Sequence, residues 1–319
     1  MEEQVINTFV TIKHSIDGFP HASDFELKSQ PLHLSVKPGH IVLKNLCVSI
    51  DPYQINRMKL HSSSHSVSSA TRFITPGQAI SAYGVAEVVA SSDSGFEKGD
   101  LVKGFIHWAE YSVVKAEECT LTKLDTLGFP LTYYLGILGM SGHTAYTGLF
   151  EVGKVKEGDK VFVSAASGSV GNLVGQYAKL HGCYVVGCAG SDQKVALLKE
   201  KLGFDEAFNY KQQKDLKSTI AKYFPQGIDT YFDNVGDEML EAAIANMKPF
   251  GKVAACGVIS EYTKSAKREG PNMLDIVYKR ITIQGFLVID YWDVVTTRFS
   301  RLRKSDRNTQ AVLPVQDPV

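Results

Sequence analysis

The chain is short of several features that would each have fixed its class. It has no excess of charge: 34 Lys and Arg stand against 34 Asp and Glu, a formal net charge of zero. That excludes the one-signed footprint of a nucleic-acid binder. It has no apolar run long enough to span a bilayer. Its first residues, Met1-Glu2-Glu3-Gln4, lack the basic and apolar regions of a signal peptide. Cysteine is sparse, and the five residues Cys47, Cys119, Cys183, Cys188 and Cys256 are scattered and odd in number. Such usage fits reduced thiols and not a disulfide framework. These absences lead us to expect a cytoplasmic protein with neither a nucleic-acid nor a membrane partner. At 319 residues the chain can bury two domain cores.

What is present falls into two patterns that meet near residue 130. Up to about Thr122 the segments are short and alternating: Ile41–Ile50, Tyr83–Val89 and Leu101–Phe105. Turn signals at Lys37-Pro38-Gly39, Asp51-Pro52 and Lys98-Gly99-Asp100 separate them. A mostly β domain over 1–130 is predicted. Within it, His61–Ser69 is polar and aperiodic and reads as a mobile, solvated loop in preference to a pair of metal-binding histidines. After Leu131 strands alternate with helices. Strands are predicted at Val161–Ser164, Tyr184–Cys188, Ala207–Asn209, Thr230–Asp233, Lys252–Ala255 and Ile281–Phe286. Helices are predicted at Asp192–Lys201 and Met239–Met247. The alternation implies an α/β domain over 131–290 with a doubly wound parallel sheet covered on both faces.

The first of those strands runs straight into a glycine turn. Val161-Phe162-Val163-Ser164 is followed by Ala165-Ala166-Ser167-Gly168-Ser169-Val170-Gly171, with Gly175 further along the ensuing helix. Glycines so spaced can make a tight turn, admit a pyrophosphate to the backbone, and let the helix pack on the strand. The N–H groups at the helix start then favour phosphate. Glycine spacing alone is also compatible with a plain strand-to-helix turn. The strand before it and the strand after it favour a dinucleotide site.

The end of the second strand bears on which dinucleotide. An NAD site places a carboxylate there for the ribose hydroxyls. Here the strand leads into Ala189-Gly190-Ser191, small and neutral, with Lys194 in the next helical turn and Tyr210 ending the third strand. A small loop beside a cation suits a 2′-phosphate, which favours NADPH/NADP. Asp192 lies near the expected distance and is read as an early helix residue turned away from the ribose. Lys194 retains a second reading as an ordinary solvated lysine.

Several stretches together resemble a known family. They are Val161–Gly175, Gly190-Ser191-x-x-Lys194, Phe232-Asp233-Asn234-Val235-Gly236 and Cys256-Gly257-Val258-Ile259-Ser260-x-Tyr262. To these add Ile50-Asp51-Pro52-Tyr53, Pro76-Gly77-Gln78, Tyr83-Gly84-Val85 and Leu138–Tyr146. The set resembles the medium-chain dehydrogenase/reductase superfamily, within it the zinc-free NADP-dependent alkenal and enone double-bond reductases. The resemblance spans roughly Val5 to Tyr291 and implies a GroES-like N-terminal domain before a Rossmann domain.

The resemblance also implies roles. Tyr262 matches the active-site tyrosine, near the nicotinamide ribose and the substrate oxygen. A phenol titrating near ~10 stays protonated and can donate to a developing enolate. Tyr53 and Tyr83 resemble aromatic walls of the substrate pocket, with ordinary core tyrosines as the other reading. Thr144 resembles a residue beside the nicotinamide. Ala165, Gly168, Ser169, Val170, Gly171, Asn234 and the backbone of Phe286-Leu287-Val288 resemble cofactor contacts. His143 has no catalytic role in this reading. Where zinc relatives carry glycine-histidine-glutamate, this chain has Ala82-Tyr83-Gly84, and it has no four-cysteine cluster. Without a Lewis acid an isolated carbonyl is the harder substrate. A conjugated alkene needs only hydrogen-bond stabilisation of an enolate.

The expected activity is therefore NADPH-dependent reduction of the α,β double bond of enals or enones, with a small-molecule partner and, by resemblance, a homodimer. A zinc-free quinone reductase and a non-catalytic NADPH-binding protein are the alternatives. The second arises because 291–319 departs from the family: after Tyr291 the chain turns basic and weakly periodic, and a divergent tail is expected.

Overall fold

The computed structural model describes residues 4–59, 73–126, 128–263 and 270–293. The expected loop at His61–Ser69 and the tail beyond Asp293 lie outside the described residues. Two compact units meet at Leu135 and Gly136, five residues beyond the sequence boundary at 130. No described helix is long and apolar enough to cross a membrane.

The first unit is antiparallel. Strands β1 (Gln4–Ile12) and β2 (Phe25–His33) form a hairpin. Strands β3 (Ile41–Val48), β4 (Ser81–Ser91), β5 (Leu101–His107), β6 (Tyr111–Val114) and β7 (Thr122–Lys123) form a sheet in the order β6-β3-β4-β5-β7. Alternate residues of β5 point inward. Val102 and Ile106 thereby join Ile41, Leu43, Ala86, Val88 and Val114 in one core. Gly84 of β4 lies beneath Ile106, where a Cβ would come within 2.3 Å of the isoleucine Cδ1. The sequence signalled β3, β4 and β5. It missed β2 because Lys28-Ser29-Gln30-Pro31 is polar, exposed and holds a proline.

The second unit is doubly wound. Helix α2 (Met140–Tyr146) runs into a π-helical stretch, Thr147–Val152. Then come β8 (Lys160–Val163), α3 (Ser169–Leu180), β9 (Tyr184–Ala189), α4 (Asp192–Glu200), β10 (Glu206–Asn209) and α5 (Leu216–Tyr223). The second half holds β11 (Ile228–Asp233), α6 (Asp237–Ala245), β12 (Met247–Ala255), α7 (Met273–Lys279) and β13 (Thr282–Gly285). All six strands are parallel in the order β10-β9-β8-β11-β12-β13. Strand order therefore reverses between β8 and β11, and ligands bind outside the carboxyl ends at such a point. Phe162 of β8 stacks on Tyr231 at 5.1 Å and on Phe208 at 6.1 Å, which fills the core beneath that point. The predicted helix ending at Met247 stops two residues earlier, because Met247 already opens β12 and pairs with Ile228.

Candidate cofactor and active site

The carboxyl end of β8 opens into the glycine turn. The left-handed residue of the turn is Ala165, at φ 46°. Gly168 is extended, at φ −75° and ψ 168°, and caps α3. The other glycines act by closeness. A Cβ on Gly171 would lie 2.5 Å from the Ala165 carbonyl oxygen, and one on Gly175 would lie 1.9 Å from Phe204 Cζ. Gly171 thus seats α3 on the turn and Gly175 seats it on the unit's core. Gly168 and Ser169 are exposed, so the first N–H groups of a twelve-residue helix face outward where an anion is favoured. The Ser169 hydroxyl donates to Ser141 Oγ of α2 at 2.7 Å, a partner that the sequence did not signal. Asn172 braces the same turn by donating to the Gly168 carbonyl at 2.8 Å.

The end of β9 carries a second polar cluster. Ser191 caps α4 by accepting the Lys194 backbone N–H at 3.3 Å, which leaves its O–H to donate outward. Lys194 is exposed. Asp192 has both oxygens occupied, Oδ1 by Asn209 Nδ2 at 2.8 Å and Oδ2 by Gln212 Nε2 at 2.9 Å. Those bonds hold its carboxyl below the usual range, the Asn209 bond contributing most. Tyr210 and its neighbour Lys211 lie against Gly190: a Cβ there would meet Lys211 Cε at 3.3 Å and the Tyr210 hydroxyl at 3.4 Å. Lys211 is thus a second cation beside the small neutral loop. Its only sequence signal was its place directly after Tyr210.

The ends of β8 and β11 meet across the switch point. Asn234 donates from Nδ2 to the Ser164 carbonyl at 2.8 Å and from its backbone to Ser164 Oγ at 3.0 Å. Beyond β12 the chain loops through Cys256–Ser260 to Tyr262, which is half-buried. The phenol oxygen lies over Gly257, where a Cβ would sit 3.0 Å from it. Burial pushes the Tyr262 phenol above 10, against a smaller opposing pull from the Val258 backbone. A phenol so placed is a hydrogen-bond donor at neutral pH. Phe286 follows β13, half-buried, with its ring edge-on to Phe232 at 6.2 Å. Leu287 is exposed and Val288 buried. Thr144 is half-buried on α2 and Val170 half-buried on α3.

Tyr53 and Tyr83 belong to the first unit. Tyr53 caps α1 (Gln54–Met58). Burial raises its phenol pKa, while the Arg57 guanidinium of the same helix opposes the rise. Tyr83 of β4 is buried, its ring edge-on to Phe105 at 5.7 Å. Among the described residues no three His, Cys, Asp or Glu side chains converge as a metal would require.

Comparison with known proteins agrees with this layout. A family profile described as zinc-binding dehydrogenase matches residues 169–303, and one described as N-terminal domain of oxidoreductase matches 9–122. An NADP(+)-dependent 2-alkenal reductase of Nicotiana tabacum is 50% identical over 294 residues, 92% of this chain and 84% of that protein. The (+)-pulegone reductase of Mentha piperita is 44% identical over 293 residues, 90% of this chain and 84% of that protein. A crystal structure of CurA from Vibrio vulnificus in complex with NADPH superposes with a TM-score of 0.83 at 30% identity, covering 95% of this chain and 88% of that one. Zinc-free medium-chain dehydrogenase/reductases that reduce carbon–carbon double bonds with NADPH are the family to which this chain belongs.

Proposed function

We propose that the protein is an NADPH-dependent oxidoreductase that reduces the α,β double bond of unsaturated aldehydes and ketones. The carrying observation is the pair of clusters at the carboxyl ends of β8 and β9. An exposed helix start follows the first, and a small neutral loop flanked by Lys194, Tyr210 and Lys211 follows the second. The residues fit the cofactor: Gly168, Ser169, Val170 and Gly171 take the pyrophosphate. Gly190, Ser191, Lys194 and Tyr210 take the 2′-phosphate, with Lys211 added by the structure. The carboxylate that would repel that phosphate is already committed to Asn209 and Gln212. Ala165, Asn234, Thr144 and the backbone of 286–288 serve the nicotinamide end.

When bound, NADPH supplies a hydride to the β-carbon of the substrate. Electron density moves to the carbonyl oxygen, where the Tyr262 O–H donates a hydrogen bond and steadies the enolate. A proton from Tyr262 or solvent completes the α-carbon, and the products are the saturated carbonyl compound and NADP. Half-buried Tyr53 offers aromatic surface for the apolar body of the substrate, whereas Tyr83 is buried against Phe105 and offers none.

A titration of NADPH against NADH, followed by turnover with an enal and with a quinone, tests this reading. Lys194→Ala and Lys211→Ala should each weaken NADPH by roughly ten- to a hundredfold and leave NADH unchanged, as loss of one charge-assisted bond requires. Unaltered NADPH preference in both variants would refute the phosphate site. We also infer a cytoplasmic homodimer. Strand β13 is an exposed sheet edge, and Met273, Leu274, Val277 and Tyr278 of the adjacent α7 are exposed apolar side chains. Sedimentation at a single monomer mass would contradict the dimer.

A further inference from the structure

Asp233 ends β11 with its side chain inside the protein, 1% exposed, and the reading above gives it no role. A buried carboxylate is costly unless hydrogen-bonded, so its partners are informative. Oδ1 accepts the Tyr231 hydroxyl at 2.7 Å and the backbone N–H groups of Val235 and Gly236, both at 2.9 Å. Ser164 Oγ lies 3.4 Å from the same oxygen. The carboxylate thereby folds Asn234-Val235-Gly236 back over its own side chain. Gly236 completes the turn at φ 72° and ψ −158°, a conformation that glycine alone adopts without strain. A Cβ there would also meet Val258 at 2.8 Å and Glu261 Oε1 at 2.9 Å.

The outward rim of this turn is a row of three carbonyls, and the segment leading to Tyr262 hangs from them. The Asp233 carbonyl accepts the N–H groups of Cys256 at 2.9 Å and Gly257 at 3.1 Å. The Asn234 carbonyl accepts Ile259 N–H at 3.2 Å. The Val235 carbonyl accepts Ser260 N–H at 3.2 Å and the Ser260 hydroxyl at 2.5 Å. Five bonds thus tie 256–260 to three residues whose path is set by one side chain. Tyr262 follows two residues later, its hydroxyl resting over Gly257 of that same segment.

We propose that Asp233 is a positioning residue for Tyr262: through Asn234–Gly236 it holds the Cys256–Ser260 segment, and hence the phenol, in register for donating to the enolate. The role of Tyr262 itself rests on the reading above. The test compares Asp233→Ala and Asp233→Asn, each alone and combined with Tyr262→Phe. Three readouts are needed: amide exchange over 256–262 against α3, NADPH affinity, and kcat with an enal. Asp233→Ala should raise exchange at 256–260 about tenfold over α3 and lower kcat about tenfold, while NADPH affinity holds within about threefold. Asparagine keeps the accepting oxygen and should restore most of the loss. In the Tyr262→Phe background the kcat effect should vanish, because the residue being positioned is gone.

Equal kcat losses in both backgrounds, or unchanged exchange at 256–260, would overturn the proposal. Should Asp233→Ala fail to fold, Ser260→Ala removes one of the five bonds, with the same signature expected at smaller size and the same results against it. If Tyr262→Phe left kcat intact, the role of Tyr262 would fall, while the exchange comparison would still decide whether Asp233 holds the segment.

Discussion

Tyr262 carries the chemistry of this account, and its environment sets a testable pH profile. Burial raises its phenol pKa above 10, so the donor form persists through neutral and mildly alkaline solution. No fall in kcat from this group is expected below about pH 10, and a basic limb near 8 that disappears in Tyr262→Phe would contradict it. That variant should lose roughly 10²-fold in kcat, the usual cost of one donor to a developing oxyanion, as measured by NADPH consumption. Tyr262 and Lys194 were visible as candidates because each sits at a fixed offset within a motif. Lys211 was not. A lysine after a short strand reads as solvated, and only the fold brings it beside Gly190. Ala165 was hidden for the opposite reason, since alanine is not a turn signal and its left-handed φ is imposed by the strand and helix it joins. Asp233 lies within the Phe232–Gly236 motif, but nothing in the string shows that three donors converge on its oxygen.

Helix α3 and the turn before it form the element that carries the proposed cofactor site. Gly171→Ala would press a methyl against backbone, 2.5 Å from the Ala165 carbonyl and 2.9 Å from Ala166 Cα, where no rotamer change gives relief. It should cost about 1–3 kcal/mol in urea unfolding and weaken NADPH binding together with stability. A variant as stable as the parent would show that α3 is seated otherwise. The start of α4 makes a different prediction. Asn209, then Gln212, hold the Asp192 carboxyl below the usual carboxylate range. A depressed folded pKa contributes stability above the unfolded value that is lost as pH falls through the folded one. Stability measured from pH 6 to pH 3 should therefore decline less steeply in Asp192→Asn than in the parent, and equal slopes would refute the assignment. The central parallel strands β8 and β9 were readable as apolar runs, because both faces of the sheet are buried there. Strand β2 and helix α7 were not, since Lys28-Ser29-Gln30-Pro31 is polar and the exposed Met273–Lys279 carries no clean apolar period. The end of α6 was overrun because apolar Met247, just past the cap Asn246, already opens β12.

At the level of the protein, sequence and structure agree on a mostly β unit followed by a doubly wound one, and the relatives share both. The reaction class was legible because the cofactor motifs, the tyrosine segment and the lost zinc ligand position occur together in one chain. The boundary moved from 130 to 135 because the turn Leu131–Tyr134 packs with the first unit, where Tyr134 is buried and donates to the Thr126 carbonyl at 2.6 Å. The central claim is that hydride reaches a β-carbon while Tyr262 receives the charge on oxygen. Its most direct test is turnover of an α,β-unsaturated aldehyde with NADPH deuterated at C4 of the nicotinamide, with the product read by NMR. The account predicts a saturated aldehyde bearing deuterium at its β-carbon. An allylic alcohol deuterated at the former carbonyl carbon, or bound NADPH that never oxidises, would contradict it.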